Sequence, residues 1–261
     1  MISEKAIMKL QNGSDVRGVA IGGVPEEPVS LFPEAANRIA SGFVQFLTKR
    51  TGKNASALRI AVGHDSRVSA PELKKAILEA LTAAGVTAVD CGLASTPAMF
   101  MSIVYPETHM DGSVMITASH LPYNRNGMKF FTKAGGLEKS EITEVLQAAA
   151  KLPETKADAV GVEKLALIDL YAQKLCEKIK KAIAATDYEQ PLRGMHVVVD
   201  AGNGGGGFFA EKVLRVLGAD TTGSLYLEPD GMFPNHVPNP ENQAAMEAIH
   251  GAVLASHADL G

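Results

Sequence analysis

The stretch LRIAVGHDSRVSAPELKKAILEALTAAGVTAVDCG, residues 58–92, restricts the fold more than any other part of the chain. An apolar run, a polar loop, a helical period, a glycine stop and a second apolar run follow one another within it. Leu73, Ile77 and Leu81 recur at four-residue steps and so share one face of a helix. Pro71 suits the first turn of that helix, where no N–H is needed, and Gly85 suits the residue just past its end. This order predicts a right-handed βαβ unit in a mostly parallel sheet.

The pattern returns in MHVVVDAGNGGGGFFAEKVLRVLGADTTGSLYL, residues 195–227, where an apolar strand ends in Asp200, a glycine loop follows and a helix stops at Gly218. Asp65 and Asp200 stand at equivalent strand ends, so two similar α/β domains with mixed, mostly parallel sheets are expected. Between them KLPETKADAVG, residues 151–161, is polar and turn-forming. A helix carrying Ile168, Tyr171, Leu175, Ile179 and Ile183 follows, which places a boundary near residue 160 and gives domains 1–160 and 161–261. At 261 residues, 46% hydrophobic and with 25 glycines, the chain has material for a core in each and for many turns. The closing ASHADLG stops where an α/β chain passes from helix to strand, so the second domain is expected to be incomplete.

A net charge of −4 and the lack of any long run of Lys and Arg argue against a nucleic-acid surface, while leaving room for a small anion in a local pocket. No stretch approaches the roughly 20 uninterrupted apolar residues of a membrane span. The opening MISEKAIMKLQNG lacks the apolar centre of a signal peptide, so the expectation is a cytoplasmic protein with no membrane partner. Cys91 and Cys176 have no CxxC companion and read as small buried residues. Oligomeric state is left open.

Three constellations could carry chemistry. Gly202, Gly204 and Gly207 stand at G-x-G-x-x-G spacing between strand and helix, with Asp220 or Glu228 where a ribose-binding acid would fall. A tight strand-to-helix turn accounts for the same glycines more simply. In GHDSRVSAPEL, residues 63–73, Asp65 and Arg67 leave a strand end and Ser66 or Ser69 could cap the helix; a bound phosphate or a mutual ion pair would both satisfy this loop.

The third is ITASHLPYNRNGMKFF, residues 116–131. The run SVMI predicts a strand, Thr117, Ala118 and Ser119 are small enough for a ligand to approach, and Asn126-Gly127 predicts the turn into MKFF. Ser119 then lies on an exposed loop at a strand end, where α/β folds bind ligands. In extended backbone the side chains of Ser119 and His120 diverge, and no G-x-S-x-G surrounds the serine, so an esterase triad is not supported. Phosphoryl transfer needs positioning and cations more than a strong base, and suits such a serine. His109, His196, His236, His250 and His257 form no H-E-x-x-H pattern and are read as structural; His236 sits in the proline-stiffened PDGMFPNHVPNPE, residues 229–241.

Taken together, NGSDVRG (12–18), GHDSR (63–67), TASHLPYNRNGMKFF (117–131), VVDAGNGGGG (198–207) and PDGMFPNHVPNPE resemble, in order over nearly the whole chain, the α-D-phosphohexomutase family of phosphoglucomutases and phosphomannomutases. TASH followed by NGMKF is the most specific piece. The resemblance implies that Ser119, as phosphoserine, exchanges a phosphoryl group with a hexose 1- or 6-phosphate through a hexose bisphosphate. It implies Arg17 and Lys129 as cationic or proton-transfer partners, His120 as a close neighbour, and Asp65 and Arg67 as supports of the serine loop. It also implies Mg²⁺ held by phosphorylated Ser119 together with aspartates of a loop that in the family soon follows a segment like ADLG. Two departures stand out: Leu121 replaces the usual Asn, and the chain stops at Gly261 before that loop and two further domains. One oxygen donor does not retain a hard cation. The expectation is therefore an N-terminal part of a phosphohexomutase without activity of its own. The other reading is a phosphosugar-binding or regulatory module in which Ser119 is only a contact; glucose, mannose or aminosugar preference is not set by these residues.

Overall fold

In a computed structural model describing residues 2–261, the chain divides into two compact units. One runs through Ala118 and from Tyr123 to Leu165; the other comprises Ser119–Pro122 and Ala166–Gly261. The division falls after Leu165, beyond the polar stretch around residue 160, because Glu163–Lys164 still pair with the first sheet.

The first unit begins with α1 (Glu4–Met8), β1 (Gln11–Asn12), β2 (Asp15–Val19) and α2 (Pro33–Thr51). The βαβ stretch becomes β3 (Arg59–His64), α3 (Ala70–Ala83) and β4 (Thr87–Leu93), with β3 and β4 parallel neighbours as the hydrophobic pattern predicts. Then come α4 (Thr96–Val104), β5 (Gly112–Ile116), β6 (Arg125–Thr132), β7 (Gly135–Gly136), α5 (Lys139–Lys151) and β8 (Glu163–Lys164). The sheet order is β1-β2-β6-β5-β3-β4-β8, with β7 paired to β6. The stretch from β5 through β3 and β4 to β8 is parallel, and the side holding β6, β2 and β1 is antiparallel.

Leu73, Ile77 and Leu81 all face the core of this sheet, where they join Ile60, Val114 and Ile116 and meet Phe43 of α2 and Ile142 of α5. Each such side chain contributes about 1.5–3 kcal/mol by leaving water, and Ile77→Ala would cost about 2–5 kcal/mol by removing methylenes and leaving a cavity. Gly85 ends α3 in the left-handed region, with its N–H on the Thr82 carbonyl and the Val86 N–H on the Leu81 carbonyl, the paired bonds of a Schellman motif. The N-terminus departs from expectation. Ser69 precedes the helix but makes no side-chain cap, because its hydroxyl accepts instead from Asn126 Nδ2 at 2.8 Å, and the buried Ser66 hydroxyl oxygen makes no cap bond either.

Asn126-Gly127 is also not a turn: both residues lie inside β6, whose first residue is Arg125. A methyl on Gly127 would sit 2.2 Å from the Val16 carbonyl oxygen, so the glycine serves close strand approach rather than chain reversal.

In the second unit, α6 (Leu167–Ile183) packs on a cluster containing Leu192, Val213, Leu214, Leu217 and Ala219, and α7 (Gln243–Ser256) lies near the C-terminus. The centre of the buried face of α6 runs through Ala172 and Cys176; Leu175 and Ile179 flank it, and Ile183 at the C-terminal end is 45% exposed. The strand expected over MHVVVD forms only single parallel bridges, His196 to Asp220, Val197 to Leu260 and Asp200 to Leu225. A turn at Thr221–Ser224 interrupts the pairing, and the Ser224 hydroxyl replaces a backbone acceptor for the Val199 N–H. The helix before Gly218 contains a π-helical turn at Ala210–Leu214. Both cysteines are buried free thiols, and burial pushes Cys91 up to about 12, so it stays protonated and inert. Among the described residues no helix is long and apolar enough to cross a membrane.

Candidate active site

Strand pairing brings Asp15, Arg17 and Lys129 together. Asp15 and Arg17 point to the same face of β2 because residues two apart do so. Arg17 stands opposite Gly127 and Val16 opposite Met128, so continuing the register one step sets Asp15 opposite Lys129. Lys129 Nζ lies 2.7 Å from both Asp15 carboxylate oxygens, and Arg17 Nη2 donates to Asp15 Oδ2 at 2.9 Å. These side chains are largely shielded, at 14% exposure for Asp15, 11% for Arg17 and 27% for Lys129, so the attraction is less screened than at an open surface.

Arg17 reaches further, across Gly127, to donate through Nη1 to the Thr117 carbonyl on the next strand line. Thr117 is held three ways: its carbonyl by Arg17, its N–H on the Gly127 carbonyl at 3.0 Å, and its hydroxyl on Asp65 Oδ2 at 2.7 Å. Asp65 also accepts from Arg67 twice, from the backbone N–H to Oδ1 and from Nε to Oδ2, both at 3.1 Å. Arg67, its side chain fully buried, donates from Nη1 to the Arg125 carbonyl. Burial lowers the Arg67 guanidinium from its ordinary value, with Asp65 opposing the shift, but an arginine remains charged at any physiological pH. The mutual ion pair anticipated for Asp65 and Arg67 therefore exists and ties β3 to the chain on either side of the serine loop.

Beyond that loop, the Asn124 carbonyl accepts from the Ala20 and Ile21 N–H groups, while Asn124 Nδ2 and Arg125 Nη2 donate to Glu27, each at 2.6 Å. The loop thus leaves from one fastened residue, Thr117, and returns to another. Ser119 on it is exposed and holds φ at +58°, a left-handed conformation that costs a non-glycine residue about 1–2 kcal/mol. That conformation overturns the expectation that Ser119 and His120 diverge: Ser119 Oγ lies 3.3 Å from His120 Nδ1, within hydrogen-bond reach, because the backbone is not extended.

In the second unit the glycine loop satisfies itself. The Gly202 N–H bonds Asp200 Oδ1, the Asn203 N–H the Tyr226 carbonyl and the Gly204 N–H the Ala201 carbonyl, so these donors are not aimed at a pyrophosphate. A methyl on Gly207 would lie 2.0 Å from the Leu227 carbonyl oxygen, a close backbone packing that explains the glycine without a dinucleotide. Asp220 accepts from the Thr222 N–H, and the Glu228 carbonyl accepts from Asn203 Nδ2. Asp65 and Asp200 share a local geometry, each accepting from the N–H two residues on, but the cation beside Asp200 is His236. His236 Nε2 lies 2.9 Å from Asp200 Oδ2 and Nδ1 2.9 Å from the Val237 carbonyl. With an acceptor at each nitrogen, the imidazolium fits best; burial lowers its pKa, but the Val237 carbonyl and Asp200 outweigh burial and raise it. A cavity of about 590 Å³ beside this pair is walled chiefly by Val197, Val199, Phe209, Leu214, Met246 and Ile249.

Sequence reading passed over Asp15, although Asp15 lies in the quoted NGSDVRG and alternation along a strand would have put it beside Arg17. It also passed over Glu27 and Asn124, for which no local signal exists. As for a metal, no three His, Cys, Asp or Glu side chains converge among the described residues.

Fold and site together define an α/β protein in which a carboxylate-bridged pair of cations fastens the end of a central strand two residues before a strained, exposed serine. Comparison with known proteins agrees on the fold. Residues 8–156 match the family "Phosphoglucomutase/phosphomannomutase, alpha/beta/alpha domain I" and residues 170–261 its domain II. A phosphoglucomutase of Neisseria gonorrhoeae is 33% identical over 205 residues, covering 78% of this chain and 42% of that protein. A phosphomannomutase/phosphoglucomutase of Pseudomonas aeruginosa is 33% identical, covering 77% of this chain and 41% of that protein. The crystal structure of a phosphoglucomutase/phosphomannomutase family protein from Burkholderia thailandensis superposes with a TM-score of 0.77 at 26% identity, over 99% of this chain and 52% of that one. The chain belongs to the phosphoglucomutase/phosphomannomutase family, the α-D-phosphohexomutases, and spans less than half the length of these curated relatives.

Proposed function

We propose that this chain is the phosphoserine-bearing part of an enzyme that interconverts hexose 1-phosphate and hexose 6-phosphate, the hexose being glucose, mannose or both. The reading is carried by the Arg17–Asp15–Lys129 cluster bonded to the Thr117 carbonyl at the root of the Ser119 loop. A phosphoryl group in flight spreads negative charge over its oxygens and needs fixed cations more than a strong base. Relatives named phosphoglucomutase and phosphomannomutase/phosphoglucomutase support hexose phosphates as the substrates.

In the proposed step Ser119 Oγ attacks the phosphorus of a hexose bisphosphate. The Oγ–P bond forms, the bond from phosphorus to the sugar oxygen breaks, the Ser119 proton passes to His120 Nδ1 and the released sugar oxygen takes up a proton. The reverse step returns phosphate to the other end of the sugar. Arg17 and Lys129 are proposed to stabilise the charge on the transferring group. Since the described residues assemble no metal site, the chain by itself is proposed not to turn hexose phosphates over.

Intact-protein mass spectrometry tests the reading. A phosphate is expected on the purified chain and absent from Ser119→Ala. Persistence of the phosphate in Ser119→Ala would remove the serine from its role, and ordinary mutase turnover by the chain alone would overturn the proposal of inactivity. A chain that binds hexose phosphate yet never carries phosphate would instead be a phosphosugar-binding module.

A further inference from the structure

We propose that Asp15 is the positioning residue of this site, the carboxylate that fixes where both Arg17 and Lys129 point; the functional part of this inference rests on the reading of Ser119 as phosphoryl carrier. Two cations placed side by side and largely out of water repel one another, and each has a long stem with many rotamers. Asp15 removes both problems at once. Its two oxygens sit 2.7 Å from Lys129 Nζ, and Oδ2 also takes Arg17 Nη2 at 2.9 Å, so one short side chain on a strand sets the heads of two long ones.

The neighbouring acid cannot take over this role. Asp65 already accepts from Arg67 and from the Thr117 hydroxyl. Arg17 keeps the contact with Asp15 while crossing Gly127 to the Thr117 carbonyl, because the missing side chain there leaves a track for its stem: a methyl would lie 2.7 Å from Arg17 Cδ. Guanidinium geometry links the two contacts. Nη1 and Nη2 belong to one rigid plane, so holding Nη2 at Asp15 aims Nη1 at Thr117. Lys129 commits its ammonium to the two Asp15 oxygens and has three donors in all, so one donor direction lies outside the pair. Asp15 thereby leaves the cluster with one net positive charge, enough to attract an anionic group, without letting the two cations separate.

The test compares the wild-type chain with Asp15→Asn, which keeps shape and loses charge, and Asp15→Glu, which keeps charge at a longer reach. Phenylglyoxal labelling of Arg17 and acetic anhydride labelling of Lys129 are followed by peptide mass spectrometry, with the open Arg193 and Lys156 as internal references at 68% and 85% exposure. Phosphate on Ser119 is read in the same samples. Asp15→Asn is expected to raise labelling of Arg17 and Lys129 at least fivefold relative to the references and to lower phosphoserine content at least tenfold, with Asp15→Glu in between. Labelling within twofold of wild type in Asp15→Asn would overturn the proposal. Should Asp15→Asn lose its far-UV circular dichroism, Asp15→Glu decides, and unchanged labelling there overturns it equally. A wild-type chain without phosphate would sink the phosphoserine reading and not this one, since the labelling still reports whether Asp15 holds the two cations.

Discussion

Gly127→Ala places a methyl 2.2 Å from the Val16 carbonyl oxygen, 2.7 Å from Arg17 Cδ and 3.0 Å from the Thr117 carbonyl oxygen. Ordinary non-bonded contacts lie near ~3.5 Å, so β2 must move away from β6 by roughly 1 Å. The nearest atom is backbone on a paired strand, which no rotamer change can relieve. Overpacking of this kind costs about 1–3 kcal/mol, and each weakened strand hydrogen bond adds about 1 kcal/mol, so a loss of roughly 2–4 kcal/mol is expected. Hydrogen exchange of β5 and β6 peptides across a urea series reads this for the first unit alone; with a slope of about 1–3 kcal/mol/M the midpoint should fall by roughly 1 M or more. Gly22→Ala is the control: its nearest neighbour would be Val29 Cγ2 at 3.5 Å, an ordinary contact, and its effect should stay between neutral and about 1 kcal/mol stabilising. If Gly127→Ala lies within about 0.5 kcal/mol of wild type, the close approach of β2 and the track of Arg17 over this glycine are both wrong.

Four further outcomes are expected. His236 has a raised pKa when folded, so its contribution to stability is complete below about pH 6.5 and is lost as pH rises through the folded value; pH-dependent exchange of 229–241 should show this in wild type and a flat profile in His236→Asn. His64 has the opposite sign, since burial chiefly lowers it and its contribution is full above about pH 6.5 and lost on acidification through the folded value. Gly251 lies mid-helix in α7 with open space where a methyl would go, so Gly251→Ala should stabilise the second unit by about 0.5–1 kcal/mol in thermal unfolding. Isothermal titration of Mg²⁺ into the chain should give no tight binding, because no carboxylate cluster accompanies Ser119 among the described residues; a micromolar dissociation constant would contradict this.

Much of the first unit was legible from residue order. The stripe of Leu73, Ile77 and Leu81, the Gly85 stop and the apolar runs around them reappear as α3 between parallel β3 and β4. The nearness of Asp65 to Arg67 was legible too, because it spans two residues of one loop. Three readings failed, two because a local pattern was given a local partner and one because the backbone at the serine was taken as extended. Ser69 looked like a helix cap, yet Asn126 takes its hydroxyl. Asn-Gly looked like a turn, yet β2 needs the space at Gly127. Ser119 and His120 looked divergent, yet a left-handed residue turns one toward the other.

Sequence alone named the candidate residues for the chemistry, a serine in a small-residue stretch and cations elsewhere in the chain, and placed most strands and helices of the first unit. Both kinds of information are local, since side-chain chemistry belongs to single residues and hydrophobic period to a dozen or so. Tertiary structure decided who meets whom: Asp15 between Arg17 and Lys129, Gly127 beneath Arg17, and Thr117 held by three partners. The meetings at Asp15 and Gly127 depend on the register of β2 on β6, segments more than a hundred residues apart, where a slip of one position would turn every side chain to the opposite face.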